Sequence, residues 1–161
     1  HTPPEVRERI LAAYPQYPHP KACVEFGGDM IFSTAAWQIA EAHAKLAPTY
    51  VYRYDYAPRT LHWAGFGATH ATELLAVFGV YRSRVGAVLT AGVDQRTAVK
   101  VSHLVQTRWH EFARSGLPGD DWPAYNREER PVLVFDRHTH IEYDPHPHRR
   151  EAWAGFTLAS G

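Results

Sequence analysis

Residues 49–74 read TYVYRYDYAPRTLHWAGFGATHATEL. The first eight are rich in aromatic and β-branched side chains and alternate in character, which predicts a β-strand over Thr49–Tyr56. Proline and glycine punctuate the next thirteen residues, so Ala57–Thr69 is predicted to be a loop. A short helix is predicted over Thr72–Val77, and Gly79 ends it. A strand that leads through a loop into a helix is the local pattern of an α/β sheet.

A histidine stands directly behind this loop, at position 70. In open α/β sheets, reactive groups gather on the loops outside the carboxyl ends of the strands. The ordinary pKa of histidine lies near neutrality, which makes His70 a candidate general base. The alternative is that His70 caps the next helix or hydrogen-bonds a backbone carbonyl. One histidine on a glycine-containing loop does not decide between these interpretations.

Periodic apolar residues indicate two longer helices. One is predicted to begin at Asp29, as the N-cap after a Gly-Gly-Asp turn, and to stop before Pro48. The other runs from Asp94, also as a cap, to Gly116. The remaining predicted elements are a short helix opened by Thr2-Pro3, strands at Pro131–Asp136 and Thr139–Tyr143 joined by a tight turn, and a last helix at His148–Phe156. The segment from Val80 to Gly92 is left unassigned.

This order of elements does not make a complete fold. One strand and a distant hairpin cannot form a good sheet by themselves, because stable sheets usually have three or more strands. We therefore expect the end of an α/β sheet whose other strands lie elsewhere. No linker or repeat divides the 161 residues, so residues 1–161 are predicted to form one piece of a single domain. The chain begins with histidine, which suggests a processed or truncated product.

Composition excludes several classes of function. Lys plus Arg and Asp plus Glu both total 17, so the formal net charge is zero. Such a chain lacks the excess positive charge that binds nucleic acid or an acidic membrane surface. No run of about 18 apolar residues is present, so no membrane span is expected. The single Cys23 excludes an internal disulfide and a zinc site built from cysteines, but it does not identify the compartment.

Histidines are concentrated in and after the predicted hairpin. His138 and His140 alternate along the chain, and alternate residues of a strand face the same way, so both could ligate one metal ion. The alternative is a polar hairpin end that faces solvent. We favour that alternative and predict no metal site. The neighbouring polar residues are Asp136, Glu142, Asp144, His146 and His148.

Five ordered blocks of the chain resemble the type-B carboxylesterases, the α/β-hydrolase family that includes para-nitrobenzyl esterases and cholinesterases. The block GATHATELLAVFG, residues 67–79, is similar to the family's loop that carries the catalytic histidine. The other blocks are GDMIFSTAAWQIAEAH (28–43), TYVYRYDY (49–56), RWHEFARSGLPGDDWPAY (108–125), and the closing pair LVFD (133–136) and YDPHPHRREAW (143–153).

The resemblance implies the C-terminal part of an α/β-hydrolase fold, namely the last sheet strands and the helices that flank them. It implies hydrolysis of a small-molecule carboxylic ester without a cofactor, with His70 as the histidine of a serine-acid-histidine triad. Trp63 and Phe66 come just before His70 and are candidates for the wall of the substrate pocket. Asp29 and Glu73 are assigned to structural support. For Asp29 we expect a helix cap rather than a replacement catalytic acid.

The nucleophile that such a triad needs is not recognisable in this sequence. A serine esterase carries its serine in a Gly-x-Ser-x-Gly turn. That context is absent at Ser33, Ser83, Ser102, Ser115 and Ser160. We therefore expect the serine, the oxyanion donors and the acid in a preceding part of the parent protein, and expect this chain alone to be inactive.

The expected partner is that missing N-terminal part, or a second copy of the chain in a dimer. The alternative function is an esterase-like binding or adhesion module without catalytic activity, or an inert fragment.

Overall fold

The structure is a computed structural model that describes residues 2–65, 67–69 and 71–156. Its helices are α1 (Pro4–Ala12), α2 (Pro20–Gly28), α3 (Thr34–His43), α4 (Arg59–Trp63), α5 (Glu73–Val77), α6 (Arg84–Leu89), α7 (Gln95–Ser115) and α8 (Pro147–Ala152). Its strands are β1 (Tyr52–Tyr54), β2 (Pro131–Phe135) and β3 (His140–Tyr143). A π-helical turn, Asp29–Ser33, joins α2 to α3, and a 3-10 turn, Val80–Arg82, precedes α6.

The described residues fall into two compact units. The first comprises residues 2–49, 126–129 and 144–156, with α1, α2, α3 and α8. The second comprises residues 50–125 and 130–143, apart from positions 66 and 70, with the strands and the helices α4 to α7. The expectation of a single domain over residues 1–161 stays a prediction.

The second unit contains a three-stranded sheet with the order β1-β2-β3. β1 is parallel to β2, with Tyr52 opposite Leu133, and β2 is antiparallel to β3, with Leu133 opposite Ile141. Parallel pairing needs a long crossover, and the segment that carries α4 to α7 supplies it. The strand and the hairpin thus pair in a small three-stranded sheet, because the crossover brings β1 onto the hairpin.

β1 is shorter than the predicted strand. The amide of Leu133 still donates to the carbonyl of Val51, at 2.9 Å. At the other end, the amides of Asp55 and Tyr56 both donate to the Phe135 carbonyl, at 3.0 and 3.1 Å. Because these two amides share one acceptor, the regular hydrogen-bond pattern between β1 and β2 ends here. β1 therefore stops at Tyr54, although the alternation of residues continues to Tyr56.

One side of β1 is lined by tyrosines, because alternate residues of a strand face the same way. The ring of Tyr52 packs edge-to-face on the rings of Trp109, Trp122 and Phe135, with centroid distances of 6.2, 6.2 and 5.5 Å. Each such pair is worth about 0.5–1.5 kcal/mol beyond the apolar area it buries. The core formed here also includes Ala98, Val101 and Val105 of α7.

The predicted long helix is confirmed as α7, which ends at Gly116 with a φ of 76°. Glycine adopts this left-handed conformation without strain, so the stop is where the sequence placed it. Asp94 precedes α7, but its side chain makes no capping hydrogen bond. Its carboxylate binds Tyr56 and Arg137 instead, because a charged guanidinium competes better than neutral amides.

The prediction of Asp29 as a helix cap is wrong. The two glycines before it continue α2, and Gly28 has helical angles of −62° and −45°. Glycine enters a helix at a modest cost, so a Gly-Gly-Asp sequence does not require a turn. The Asp29 carboxylate accepts a hydrogen bond from the Tyr14 hydroxyl at 2.6 Å and lies 3.6 Å from Arg149.

These contacts belong to the core of the first unit. The indole Nε1 of Trp153 donates to the Tyr14 hydroxyl at 2.7 Å, so Tyr14 links the tail of the chain to Asp29. Burial, together with the hydrogen bond to Asp29, raises the pKa of Tyr14 well above its usual range, which keeps the phenol protonated.

No helix in the described part of the chain is long and apolar enough to cross a membrane.

Candidate active-site segment

The segment that bears His70 lies between two short helices of the second unit. Residues 55–58 connect β1 to α4, and residues 64–72 connect α4 to α5. Positions 66 and 70, and with them the predicted pocket residue Phe66 and the predicted base His70, lie outside the described residues.

The segment is preceded by α4, which lies within Ala57–Thr69, so the prediction of a continuous loop there is wrong. Pro58 precedes this helix and is fully buried. The Thr60 hydroxyl donates to the Leu89 carbonyl and so ties α4 to the end of α6. Trp63, the last residue of α4, is 71% exposed. This indole is a large apolar surface beside the segment, available to a substrate or to another part of the protein.

The described residues on either side of position 70 are joined to α5 by local hydrogen bonds. Ala71 has a φ of 68°, a left-handed conformation that costs an alanine roughly 1–2 kcal/mol. The amide and the hydroxyl of Thr72 both donate to the Thr69 carbonyl, at 3.1 and 2.7 Å. The Leu74 amide donates to the Ala71 carbonyl at 3.2 Å and leads into α5. Strained backbone of this kind is found preferentially at functional sites.

Glu73 is the first residue of α5 and is half-buried. Burial raises the pKa of Tyr52 and of Tyr54, and the negative charge of Glu73 raises both further. Burial is the larger cause at both residues, so the two phenols stay protonated.

The far end of α5 is held by α7. The Ser102 hydroxyl donates to the Ala76 carbonyl at 2.6 Å, and the Gln106 Nε2 donates to the Val77 carbonyl at 3.0 Å. The sequence reasoning above missed both residues. One feature of the sequence pointed to Ser102. It lies four residues after Ala98, within the apolar stripe of α7, and between the buried positions 101 and 105.

A charged network lies at the carboxyl ends of β1 and β2. Asp94 is buried and accepts from the Tyr56 hydroxyl at 3.0 Å and from Arg137 Nη1 at 2.8 Å. Burial acts to raise the pKa of Asp94, but the hydrogen bonds from Arg137 and Tyr56 outweigh it and hold this pKa below its usual range. The Asp94 carboxylate therefore has hydrogen-bond donors for both oxygens, and it joins the start of α7 to the residues that follow both strands.

The histidines of the hairpin are engaged in local contacts. Nδ1 of His140 lies 2.9 Å from the His138 carbonyl, and Nε2 lies 3.2 Å from Glu142 Oε1. Glu142 also accepts from Arg53, at 2.9 and 3.1 Å. Within residues 2–65, 67–69 and 71–156, no group of three or more His, Cys, Asp or Glu side chains is arranged to hold a metal ion.

Three serines of the second unit have hydroxyls that donate to backbone carbonyls. Ser83 donates to Val80 at 2.7 Å, and Ser115 donates to Glu111 at 2.8 Å. Ser102 is buried, as described above. None of these hydrogen bonds joins a serine to a histidine, so they do not form a nucleophile–base pair.

Comparison with known proteins identifies relatives along nearly the whole chain. Residues 13–153 match the carboxylesterase family. The para-nitrobenzyl esterase of Bacillus subtilis is 32% identical over 148 residues, which are 89% of this chain and 29% of that protein. The liver carboxylesterase 1F of Rattus norvegicus is 34% identical over 120 residues, which are 68% of this chain and 20% of that protein.

Solved structures give the same result for the fold. A para-nitrobenzyl esterase superposes with a TM-score of 0.74 at 27% identity, over 92% of this chain and 30% of the other. A carboxylesterase of Geobacillus stearothermophilus also has a TM-score of 0.74 at 27% identity, over 91% of this chain and 31% of the other. The chain thus spans less than a third of the length of these relatives. It belongs to the type-B carboxylesterase family and folds as part of an α/β-hydrolase.

Proposed function

We propose that the protein to which these residues belong hydrolyses carboxylic esters with a serine nucleophile, and that His70 is its general base. One observation carries the proposal. The region that matches the carboxylesterase family, residues 13–153, includes the segment of His70. That segment follows the carboxyl end of a parallel strand, where α/β enzymes place their reactive groups.

In the proposed reaction, the His70 imidazole takes the proton of the serine hydroxyl as the oxygen attacks the ester carbonyl. Collapse of the tetrahedral intermediate releases the alcohol, which receives that proton from His70. Water then attacks the acyl-enzyme with His70 again as the base, and the carboxylic acid and the free serine result. No cofactor takes part in this sequence.

The serine, the oxyanion donors and the acidic partner of His70 are proposed to lie outside these 161 residues, at their N-terminal side. The described serines support this, because those of the second unit are bound to backbone carbonyls. An oxyanion hole needs donors aimed at the position of the developing charge. The chain alone is therefore proposed to be inactive, with the rest of the protein as its partner.

Trp63 and Phe66 are proposed to line the substrate pocket beside His70. Ligand pockets are mostly apolar with few polar groups, and the exposed indole of Trp63 supplies such a wall at the end of α4. Glu73 is proposed to support the same segment from its other end, through its place at the start of α5.

The test is hydrolysis of a short p-nitrophenyl ester by the full-length protein and its His70→Ala variant. Loss of the base is expected to lower kcat/KM on the order of 10³-fold or more. His110→Ala is the matched control, since His110 is exposed on α7 and apart from the segment. Activity of His70→Ala within about tenfold of the unaltered protein would mean that another residue is the base.

A further inference from the structure

The helix that follows His70 cannot hold its own position. α5 has five residues, and isolated helices shorter than about 12 residues are marginal in water. Only Ala71 and Thr72 separate it from His70. Any displacement of α5 therefore moves the backbone on which the histidine stands.

Two side chains of α7 bind the last two carbonyls of α5, in addition to the apolar packing of this helix in the core. The final carbonyls of a helix have no partner within the helix. Here the Ala76 carbonyl accepts from the Ser102 hydroxyl, and the Val77 carbonyl accepts from the Gln106 amide. Ser102 and Gln106 are four residues apart on α7, so they lie on the same face of that helix. α7 thus caps α5 from the side with two donors.

Water cannot take over the first of these bonds. Ser102 and Ala76 are both 0% exposed, so water does not replace the hydroxyl at the Ala76 carbonyl, which otherwise accepts from backbone amides such as that of Gly79, at 3.1 Å. The second bond depends on Gly79 as well. A Cβ built at Gly79 would lie 2.9 Å from Gln106 Nε2. The absence of a side chain at Gly79 lets the Gln106 amide reach the end of α5.

We propose that Ser102 and Gln106 are positioning residues for His70. They fix the end of α5, and through this short helix they fix Ala71, which directly follows the histidine in the chain. This inference rests on the proposed function, since it assigns these two residues to the same ester hydrolysis. Neither side chain touches substrate or takes part in proton transfer.

The proposal makes a specific kinetic prediction. A base displaced by about 1 Å can cost on the order of 100-fold in rate, whereas substrate binding is barely affected. In the full-length protein, Ser102→Ala is expected to lower kcat about tenfold or more and to leave KM within about twofold. Gln106→Met, which also removes a donor to α5, is expected to lower kcat in the same direction.

Val105→Ala is the matched control. Val105 is buried on α7 next to these residues, so its truncation weakens the same packing and leaves both donors in place. Urea unfolding of each variant measures the loss of stability. We expect Val105→Ala to lose at least as much stability as Ser102→Ala but to keep kcat within about twofold. Equal losses of kcat in the two variants, or no loss in Ser102→Ala, would overturn the proposal.

A second readout does not depend on ester turnover. The ring signals of His70 are followed by NMR during a pH titration of the unaltered protein, Ser102→Ala and Val105→Ala. We expect the chemical shifts of the His70 ring to change in Ser102→Ala alone. Identical titration curves in all three proteins would contradict the positioning role. An unaltered protein without esterase activity would refute the proposed function, and the NMR comparison would still decide the role of Ser102.

Discussion

At the scale of single residues, His140 is held in a way that favours its charged form. Nδ1 faces the His138 carbonyl and Nε2 faces the Glu142 carboxylate, and both of these groups only accept hydrogen bonds. The two contacts are satisfied together only when both ring nitrogens carry protons. The hydrogen bond to the His138 carbonyl, with that to Glu142, accordingly raises the pKa of His140.

The first prediction concerns the pH dependence of this contact. Because the pKa of His140 is raised on folding, its contribution to stability is complete below the unfolded value of about 6.5 and is lost as the pH rises through the folded value. Urea unfolding at pH 5.5 and pH 8.5 measures this contribution to the free energy of unfolding. His140→Ala should lower the free energy of unfolding at pH 5.5 and have less effect at pH 8.5.

The contribution is small, because half of the His140 side chain is exposed and solvent screens the pair. His110→Ala, at an exposed position of α7, is the control variant. A His140→Ala effect that is larger at pH 8.5 would mean that the neutral imidazole is the favoured form.

At the scale of elements, local patterns predicted those parts whose signals lie in the chain itself. The apolar period and the terminal glycine defined α7, and the Pro131–Tyr143 hairpin was located within one or two residues. Asp29 failed as a cap because the two glycines before it continue α2, so that no helix begins at this position. The pairing of β1 with β2 was also missed, since parallel partners are selected by packing across a long crossover.

A prediction at this scale compares two glycines that both have positive φ. Gly79 ends α5 at 67°, and its Cβ would lie 2.9 Å from Gln106, whereas Gly92 at 69° faces open space. Alanine in this conformation costs roughly 1–2 kcal/mol at either site. Gly79→Ala should cost more than Gly92→Ala, because it also displaces the Gln106 amide from the Val77 carbonyl.

Thermal or urea unfolding of the two variants gives this difference directly. Equal losses of stability at the two positions would mean that displacing the Gln106 amide from the Val77 carbonyl does not lower the free energy of unfolding. The kinetic counterpart is a lower kcat for Gly79→Ala in the full-length protein, with Gly92→Ala close to the unaltered protein.

At the scale of the whole molecule, the family predicted from the sequence is confirmed, and the site residues stay a prediction. The helix that begins at Glu73 was predicted from its pattern, whereas α4 lies within the stretch Ala57–Thr69 that was predicted to be a loop. The donors that hold this helix were not predicted, because Ser102 in an apolar stripe is indistinguishable by pattern from an ordinary helical serine. Its role depends on Ala76, which is 26 residues away in the chain and becomes its neighbour only on folding.

The central claim is that these residues supply the base for a serine that lies outside them. The most direct test is covalent labelling with an activated organophosphonate ester, followed by mass spectrometry of the labelled peptide. In the full-length protein we expect one labelled serine, N-terminal to the residues described here, and labelling slowed on the order of 10³-fold or more in His70→Ala. The 161-residue chain alone should remain unlabelled. A label on one of its own serines, or a labelling rate that His70→Ala leaves unchanged, would contradict the account.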